Sequence, residues 1–499
     1  MSRAWGWGVA GILLAAIAWR AYGLAAKPLW LDEAMSVVRA EPEPWRPFWE
    51  SVRRDNHPFL YYLLLHFALK LGTGDIAVRL LSLAGSVAAV VGTGLLAREA
   101  AGARAGVWAG ALMAASAFQL FFAQEARPYA VATAFAAFAC WMWVRMWCRG
   151  FTAGRLAIYG LFSVLSVYCF YYCGLLLAAQ GIHAVIERKR WRELAGRLAL
   201  TWALAGAAIL PLLVHLRFLA HLTGLGTRPA GRMDGALLAQ AARELLFGYL
   251  PLAEEDAHIL LGLAIAACVL AVGVCVWAAI RSHEVSPALL PLAIVPLCAL
   301  LAYRAPVKFE TKHLAMCAPA LWAIIASFGR ERGRGDLLLG VVLLVNIATG
   351  AYYHSDNFVK EDWRGVAEVV AKGWRPGDKI VFCPFYLKNP FDRYFPQRPY
   401  DFDRVTYAGG EEGIDATYWV LDSRQQTLGL YVLDPAGGRR DIVPWELHTG
   451  RYWLIEGDSN TIPRSDLITV TFGARYEPTE TDFVGMGGYL WVTLWEPRK

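Results

Sequence analysis

The chain of 499 residues is longer than one hydrophobic core usually holds, and 57% of it is apolar against 18% charged, a balance that ordinary soluble domains do not show. Its 21 Trp and 21 Tyr suit a protein with two water–lipid boundaries, where amphipathic rings settle. The net charge of +6 is spread over short connections instead of forming a basic stripe, so no nucleic-acid partner is expected.

In chain order, the first membrane span is expected from Trp5 to Leu24. It lacks a small-residue cleavage site at a suitable place, so it reads as a retained helix and not as a removed signal peptide. Further spans are expected at 78–97, 105–123, 128–147, 157–170, 172–187, 198–219, 257–280, 286–303, 314–329 and 335–353, about eleven in all at roughly 20 apolar residues each. The pair between 157 and 187 is one apolar stretch broken by Tyr168 to Cys173 and by Gly174; as a single helix it would reverse the side of everything downstream. Arg98, Arg104, Arg145, Arg149, Arg155, the run ERKRWRELAGR, Arg281 and Arg330 to Arg334 fall in alternate connections. The positive-inside rule therefore puts the N-terminus inside. Loop 26–77, loop 220–256 (which carries its own Arg228 and Arg232) and everything after 353 are then outside.

The composition changes after 353. EDWRGVAEVVAK has helical apolar spacing, RPGD turns the chain, and KIVFC, TYWVLDS, RYWLIEG, LITVTFGARY and GYLWVTLW read as strands. The expected architecture is a polytopic α-helical membrane domain over 1–353 and a small α/β domain over 354–499. The latter has no glycine-rich phosphate loop. Eight of the nine cysteines lie in apolar segments and only Cys383 falls in the second domain, so that domain can hold no internal disulfide.

Three outer segments could carry chemistry. In KPLWLDEAMSVVRAEPEPW, Asp32 and Glu33 follow an apolar anchor. A carboxylate at a membrane surface is partly desolvated, which raises its pKa and suits a general base; alternatively both acids sit favourably at a helix N-terminus. In RRDNHPFLYYLLLHFALKLG, Asp55 or Asn56 is positioned to cap a short interfacial helix, with His57 and Tyr61 four residues apart on one face. His57 could donate to a phosphate, or be an ordinary hydrated histidine. In FFAQEARPYA, Pro128 disfavours helix at Arg127 and leaves Gln124, Glu125, Arg127 and Tyr129 at the outer membrane face. Charges there are costly unless paired or functional, and a Glu125–Arg127 pair is the plain structural alternative.

The order LWLDEA, HPFLYYLLLH, RLLS and FFAQEARPYA resembles bacterial members of the GT-C superfamily, notably the protein O-mannosyltransferases and the lipid A aminoarabinose transferase. The resemblance spans roughly residues 1–330, and KEDWRGVAEVV resembles the start of the soluble domain in such proteins. It implies a polyprenyl-phosphate sugar as donor, used at the outer face of the bacterial inner membrane. Asp32 matches the first-loop acid assigned to the acceptor hydroxyl, and Glu33 adjoins it. His57 matches a basic or polar residue near the donor phosphate, although His57-Pro58-Phe59 lacks the second proline of that motif. In VKFETKHLAMCAP, Lys312 and His313 stand where relatives carry Arg-Tyr; Lys312 retains the point charge but not the planar fork of arginine.

The chemistry needs the same groups on independent grounds. A leaving phosphate needs cations, available as His57, Arg127 and Lys312, and the acceptor needs a base, for which Asp32 is placed. A single displacement inverts the anomeric centre. A divalent cation is compatible with these carboxylates and histidine, but no ligand spacing demands one. The expected partners are the lipid-linked donor, a lipid, glycan or protein acceptor, and membrane lipids. A flippase or transporter of lipid-linked saccharide is the main alternative; against it stand the lack of an inverted repeat and the clustering of polar groups at one face. A membrane sensor would leave Asp32, His57 and Arg127 unexplained.

Overall fold

The structure, a computed structural model, describes residues 3–41, 45–53, 55–222, 235–249, 289, 292, 310–330, 333–376, 378–383, 387–395, 431–433, 439–441, 451–457, 476–485 and 488–497. The chain forms two compact units, Met1–Leu24 with Arg39–Ser355, and Ala25–Val38 with Asp356–Lys499.

The first unit is helical. Its described helices are α1 (Arg3–Ala21), the end of α2 (Leu31–Ala40), α3 (Trp45–Val52), α4 (Leu60–Leu69), α5 (Asp75–Ala101), α6 (Ala103–Ala115), α7 (Ala117–Ala123), α8 (Tyr129–Arg149), α9 (Ala153–Cys169), α10 (Gly174–Ile186), α11 (Arg188–Leu222), α12 (Gly235–Phe247), α13 (Ala318–Ser327) and α14 (Arg334–His354). Among the described residues, four helices are long and apolar enough to cross a membrane, and a fifth span forms if the α6–α7 pair, bent by 60°, counts as one. The expected spans at 257–280 and 286–303 lie outside the described residues. The apolar stretch 157–187 does divide: α9 ends at Cys169, a short 3-10 turn covers Tyr171–Cys173, and α10 starts at Gly174.

Lipid offers no hydrophobic drive between helices, so close packing must supply it. A Cβ built on Gly85 would lie 2.9 Å from Val131, and one on Gly92 would lie 2.8 Å from the Ala137 Cβ; these glycines let α5 and α8 approach. Polar side chains act as fasteners. Buried Arg20 donates to Ser86 Oγ at 2.7 Å and to the carbonyls of Ala114 and Met113 at 2.6 and 2.8 Å, tying α1 to α5 and α6. Farther along, Arg145 and Arg149 pair with Glu99, and Arg104 pairs with Asp336, which also accepts from the Trp108 indole. These pairs fall in the connections assigned inside on charge.

The second unit packs helix on sheet. Strands β1 (Lys379–Cys383), β4 (Tyr452–Gly457), β6 (Gly488–Pro497) and β5 (Tyr476–Gly485) lie side by side in that order, with β1 parallel to β4 and the remaining pairs antiparallel. A separate ribbon joins β2 (Tyr431–Leu433) to β3 (Arg439–Asp441). Helix α15 (Trp363–Gly373) turns Trp363, Val366, Ala367 and Val370 onto Ile380, Trp453, Ile455 and Val492, and α16 (Lys388–Tyr394) adds Phe391. The spacing i, i+3, i+4, i+7 is what one apolar helix face requires. Leu31, the first residue of α2, packs against this same core. TYWVLDS and nearly all of LITVTFGARY fall outside the described residues.

Candidate functional site

The membrane unit builds its polar centre on the connection between α3 and α4. The capping expectation for this segment is corrected: α4 starts at Leu60 with Phe59 at its N-cap and no side-chain cap bond. Pro58, immediately before that cap, disfavours helix at His57, which lies in a bend ahead of α4, so His57 and Tyr61 do not share a helical face. Tyr61 instead directs its hydroxyl to Ser82 Oγ at 3.2 Å, on α5.

Asp55 is the hub. Its carboxylate accepts from the His57 backbone N–H at 2.8 Å and from the Tyr62 hydroxyl at 2.7 Å, and its second oxygen lies 2.6 Å from Arg39 Nε. The His57 Nδ1 is 3.1 Å from the same carboxylate, and Nε2 is 3.3 Å from the Tyr129 hydroxyl. Asp55 is buried. Burial by itself would raise its pKa, but the bond from His57 and the charges of Arg39, His57 and Arg127 outweigh it and hold the carboxyl well below the usual carboxylate range. An anionic Asp55 at Nδ1 makes that nitrogen the donor and leaves Nε2 turned towards Tyr129.

FFAQEARPYA supplies the neighbouring wall. Gln124 donates to the carbonyls of Arg20 and Tyr22 at 2.8 and 2.7 Å and so anchors the turn to α1. Glu125 is buried, and its charge, after burial and Glu244, helps raise the Tyr249 phenol. Arg127 is buried, its guanidinium carbon stands 6.0 Å from the Tyr129 ring centroid, and its charge acts on Asp55.

A file of rings borders the centre. His57 stacks on Phe170 at 6.1 Å, Phe170 on His313 at 6.4 Å, and His313 on Tyr172 at 4.6 Å with planes 8° apart. Lys312 and His313 open the 3-10 helix Thr311–Cys317. Lys312 Nζ lies 2.5 Å from Glu310 Oε2, and the Glu310 N–H donates to His313 Nδ1 at 3.3 Å. Burial, then the charges of Lys312 and His57, lower the His313 pKa to about 3, so the ring is neutral with its proton on Nε2.

The second unit holds the other acids. Asp32 and Glu33 occupy the first turn of α2, as the helix-start alternative has it. Glu33 is fully buried and faces Lys360 Nζ at 3.9 Å. Glu361 Oε2 accepts from the Leu31 N–H at 2.9 Å and from the Trp363 indole at 2.7 Å. Burial is the main force raising the Glu361 pKa; those two bonds oppose it, and the charges of Asp32 and Glu33 add to it. The segment is tied down elsewhere too. Lys27 donates to the Phe358 carbonyl at 2.6 Å, the Leu29 N–H to the Tyr394 hydroxyl at 2.7 Å, and Arg364 to the carbonyls of Ala25 and Ala26 at 2.8 and 2.9 Å.

The structure thus gathers His57, Arg127, Tyr129 and His313 around groups that sequence reasoning left out: Asp55, Arg39, Phe170 and Tyr172. The D-x-H spacing beside two arginines was the available signal for Asp55, and it reads equally well as a helix cap. Among the described residues, no group of three or more His, Cys, Asp or Glu side chains is arranged to hold a metal ion.

No protein-family model matches the sequence, and no curated protein matches it. The fold is nevertheless one already seen among solved structures. It is similar to ArnT from Cupriavidus metallidurans in the apo state, with TM-score 0.55 and 13% identity over 99% of this chain and 98% of that one. The structure of the same ArnT bound to undecaprenyl phosphate gives TM-score 0.57 and 12% identity over 98% of each chain.

Proposed function

We propose that this chain is a membrane glycosyltransferase that moves a sugar from a polyprenyl phosphate to a lipid, glycan or protein acceptor, with inversion, at the outer face of the inner membrane. The observation that carries this reading is the set of cations, buried Arg127 with half-buried Arg39 and His57, held about buried Asp55 within a GT-C fold. Cations shielded from water bind phosphate far more strongly than exposed ones. The likeness to an ArnT bound to undecaprenyl phosphate supports a lipid-linked ligand.

In the proposed reaction the acceptor oxygen attacks the anomeric carbon and the bond from that carbon to the phosphate oxygen breaks. The polyprenyl phosphate leaves and the acceptor proton passes to Asp32. His57, Arg127 and Lys312 serve the phosphate, and Glu33 supports the loop that bears Asp32. This reading has the N-terminus inside and the second domain outside, on the charge bias of the connections.

The test is transfer from synthetic polyprenyl-phosphate sugars by purified full-length protein in detergent. A glycosidic product with release of polyprenyl phosphate is expected. Movement of lipid-linked saccharide across proteoliposomes without any such product would replace this reading with a flippase.

A further inference from the structure

Segment 25–36, which bears Asp32, could be an ordinary interhelical loop, yet hydrogen bonds fasten it along its length to residues 330 to 338 positions later. The fastenings differ in kind. Arg364 and Lys27 make charged bonds to backbone, Glu361 takes the N–H that opens α2, Lys360 neutralises buried Glu33, and Leu31 is packed into the core beneath α15. A helix leaves its first N–H groups without internal partners, and a carboxylate there also opposes the positive end of the helix dipole. Glu361 does both for the very turn that contains Asp32. Without such ties a loop of this size pays no ordering cost and samples many backbone states, so a group on it has no single direction.

We infer that Lys360, Glu361 and Arg364 are positioning residues for Asp32, and that one task of the C-terminal unit is to hold the first outer loop so that this carboxylate keeps one orientation. The inference rests on the reading of Asp32 as the base of the proposed transfer. It gives the KEDWR stretch a role that its helix-forming pattern does not require. Trp363, Val366 and Val370 account for the apolar face of α15, whereas Lys360, Glu361 and Arg364 spend their polar groups on segment 25–36.

Full-length protein carrying Glu361→Ala or Glu361→Gln separates the possibilities by hydrogen exchange and transfer kinetics. Glu361→Ala is expected to speed exchange across residues 29–36 and to lower kcat on the order of 10²-fold, the usual cost of a small misplacement of a reacting group. The donor KM should stay within about twofold, since ground-state binding is not what is lost. Glu361→Gln keeps an oxygen acceptor for the Leu31 N–H and should recover most of kcat. If Glu361→Ala fails to fold, Arg364→Met carries the same expectation through Ala25 and Ala26. Unchanged exchange, a kcat that survives a loosened loop, or a loss confined to donor KM overturns the positioning role. Wild-type protein that transfers no sugar defeats the proposed function instead, and the exchange measurement still decides whether segment 25–36 is held.

Discussion

Two buried acidic centres in this molecule behave in opposite ways. Asp55 sits among Arg39, His57 and Arg127 and is held ionised far into acid, whereas Glu361 sits beside Asp32 and Glu33 and is pushed up towards its neutral form. Both are buried, so desolvation acts the same way on each. The difference lies in the company each keeps: the bond from His57 and opposite charges reverse the burial effect at Asp55, and like charges add to it at Glu361. A buried carboxylate is therefore held as an anion among cations in one unit and pushed towards its neutral form among acids in the other.

The largest expected effect comes from the acid-rich centre. Asp32→Asn keeps the side-chain shape and removes the proton acceptor, so transfer should fall roughly 10²–10⁴-fold with membrane level and unfolding temperature unchanged. Full turnover in Asp32→Asn would remove that centre from the chemistry. Next comes the cation-rich centre. Asp55→Asn leaves Arg39 and Arg127 facing a neutral group, and loss of one partner of a buried pair costs about 3 kcal/mol. Thermal unfolding in detergent should show that loss together with poorer donor use. A variant that melts like the parent would mean the cations do not depend on Asp55.

The smallest effect is the one that sets the two centres against each other by pH. Asp55 has a depressed pKa, so its contribution is present above the unfolded carboxyl value, near 4, and is lost only as pH falls towards the folded one. Glu361 has a raised pKa, so its contribution is present below the unfolded value and is lost as pH rises through the folded one. Stability of the second unit, followed by exchange in 356–376, should decline as pH climbs from about 4 to neutral. Glu361→Gln should flatten that decline, while the Asp55 centre stays level over the same window. A slope that persists in Glu361→Gln would assign it to another group.

Much of the membrane unit was legible in the chain order of its residues. A span must satisfy its own backbone in lipid, so apolar length is a local property, and α5, α8 and α14 fall where hydropathy placed them. The break between α9 and α10 was visible in the polar-aromatic cluster Tyr168 to Cys173 and in Gly174, and it falls there between Cys169 and Gly174. The bend between α6 and α7 was not, because a continuous apolar run does not reveal where Ser116 leaves the helix. The expected helical cap at Asp55 failed because its real partners are Arg39, Tyr62 and, from α8's side, Tyr129 through His57.

What the sequence by itself determined was the class of object: an apolar helical chain, its charge bias, a β-rich end, and a short roster of candidate acids and cations. These depend on composition and on spacing within a few turns, which any reader of the chain can measure. Which carboxylate meets which cation was decided only by the tertiary structure. So was the grouping of residues 25–38 with the C-terminal unit. Contacts such as Leu31 to Glu361 close over 330 residues, and no local pattern encodes a partner that far away.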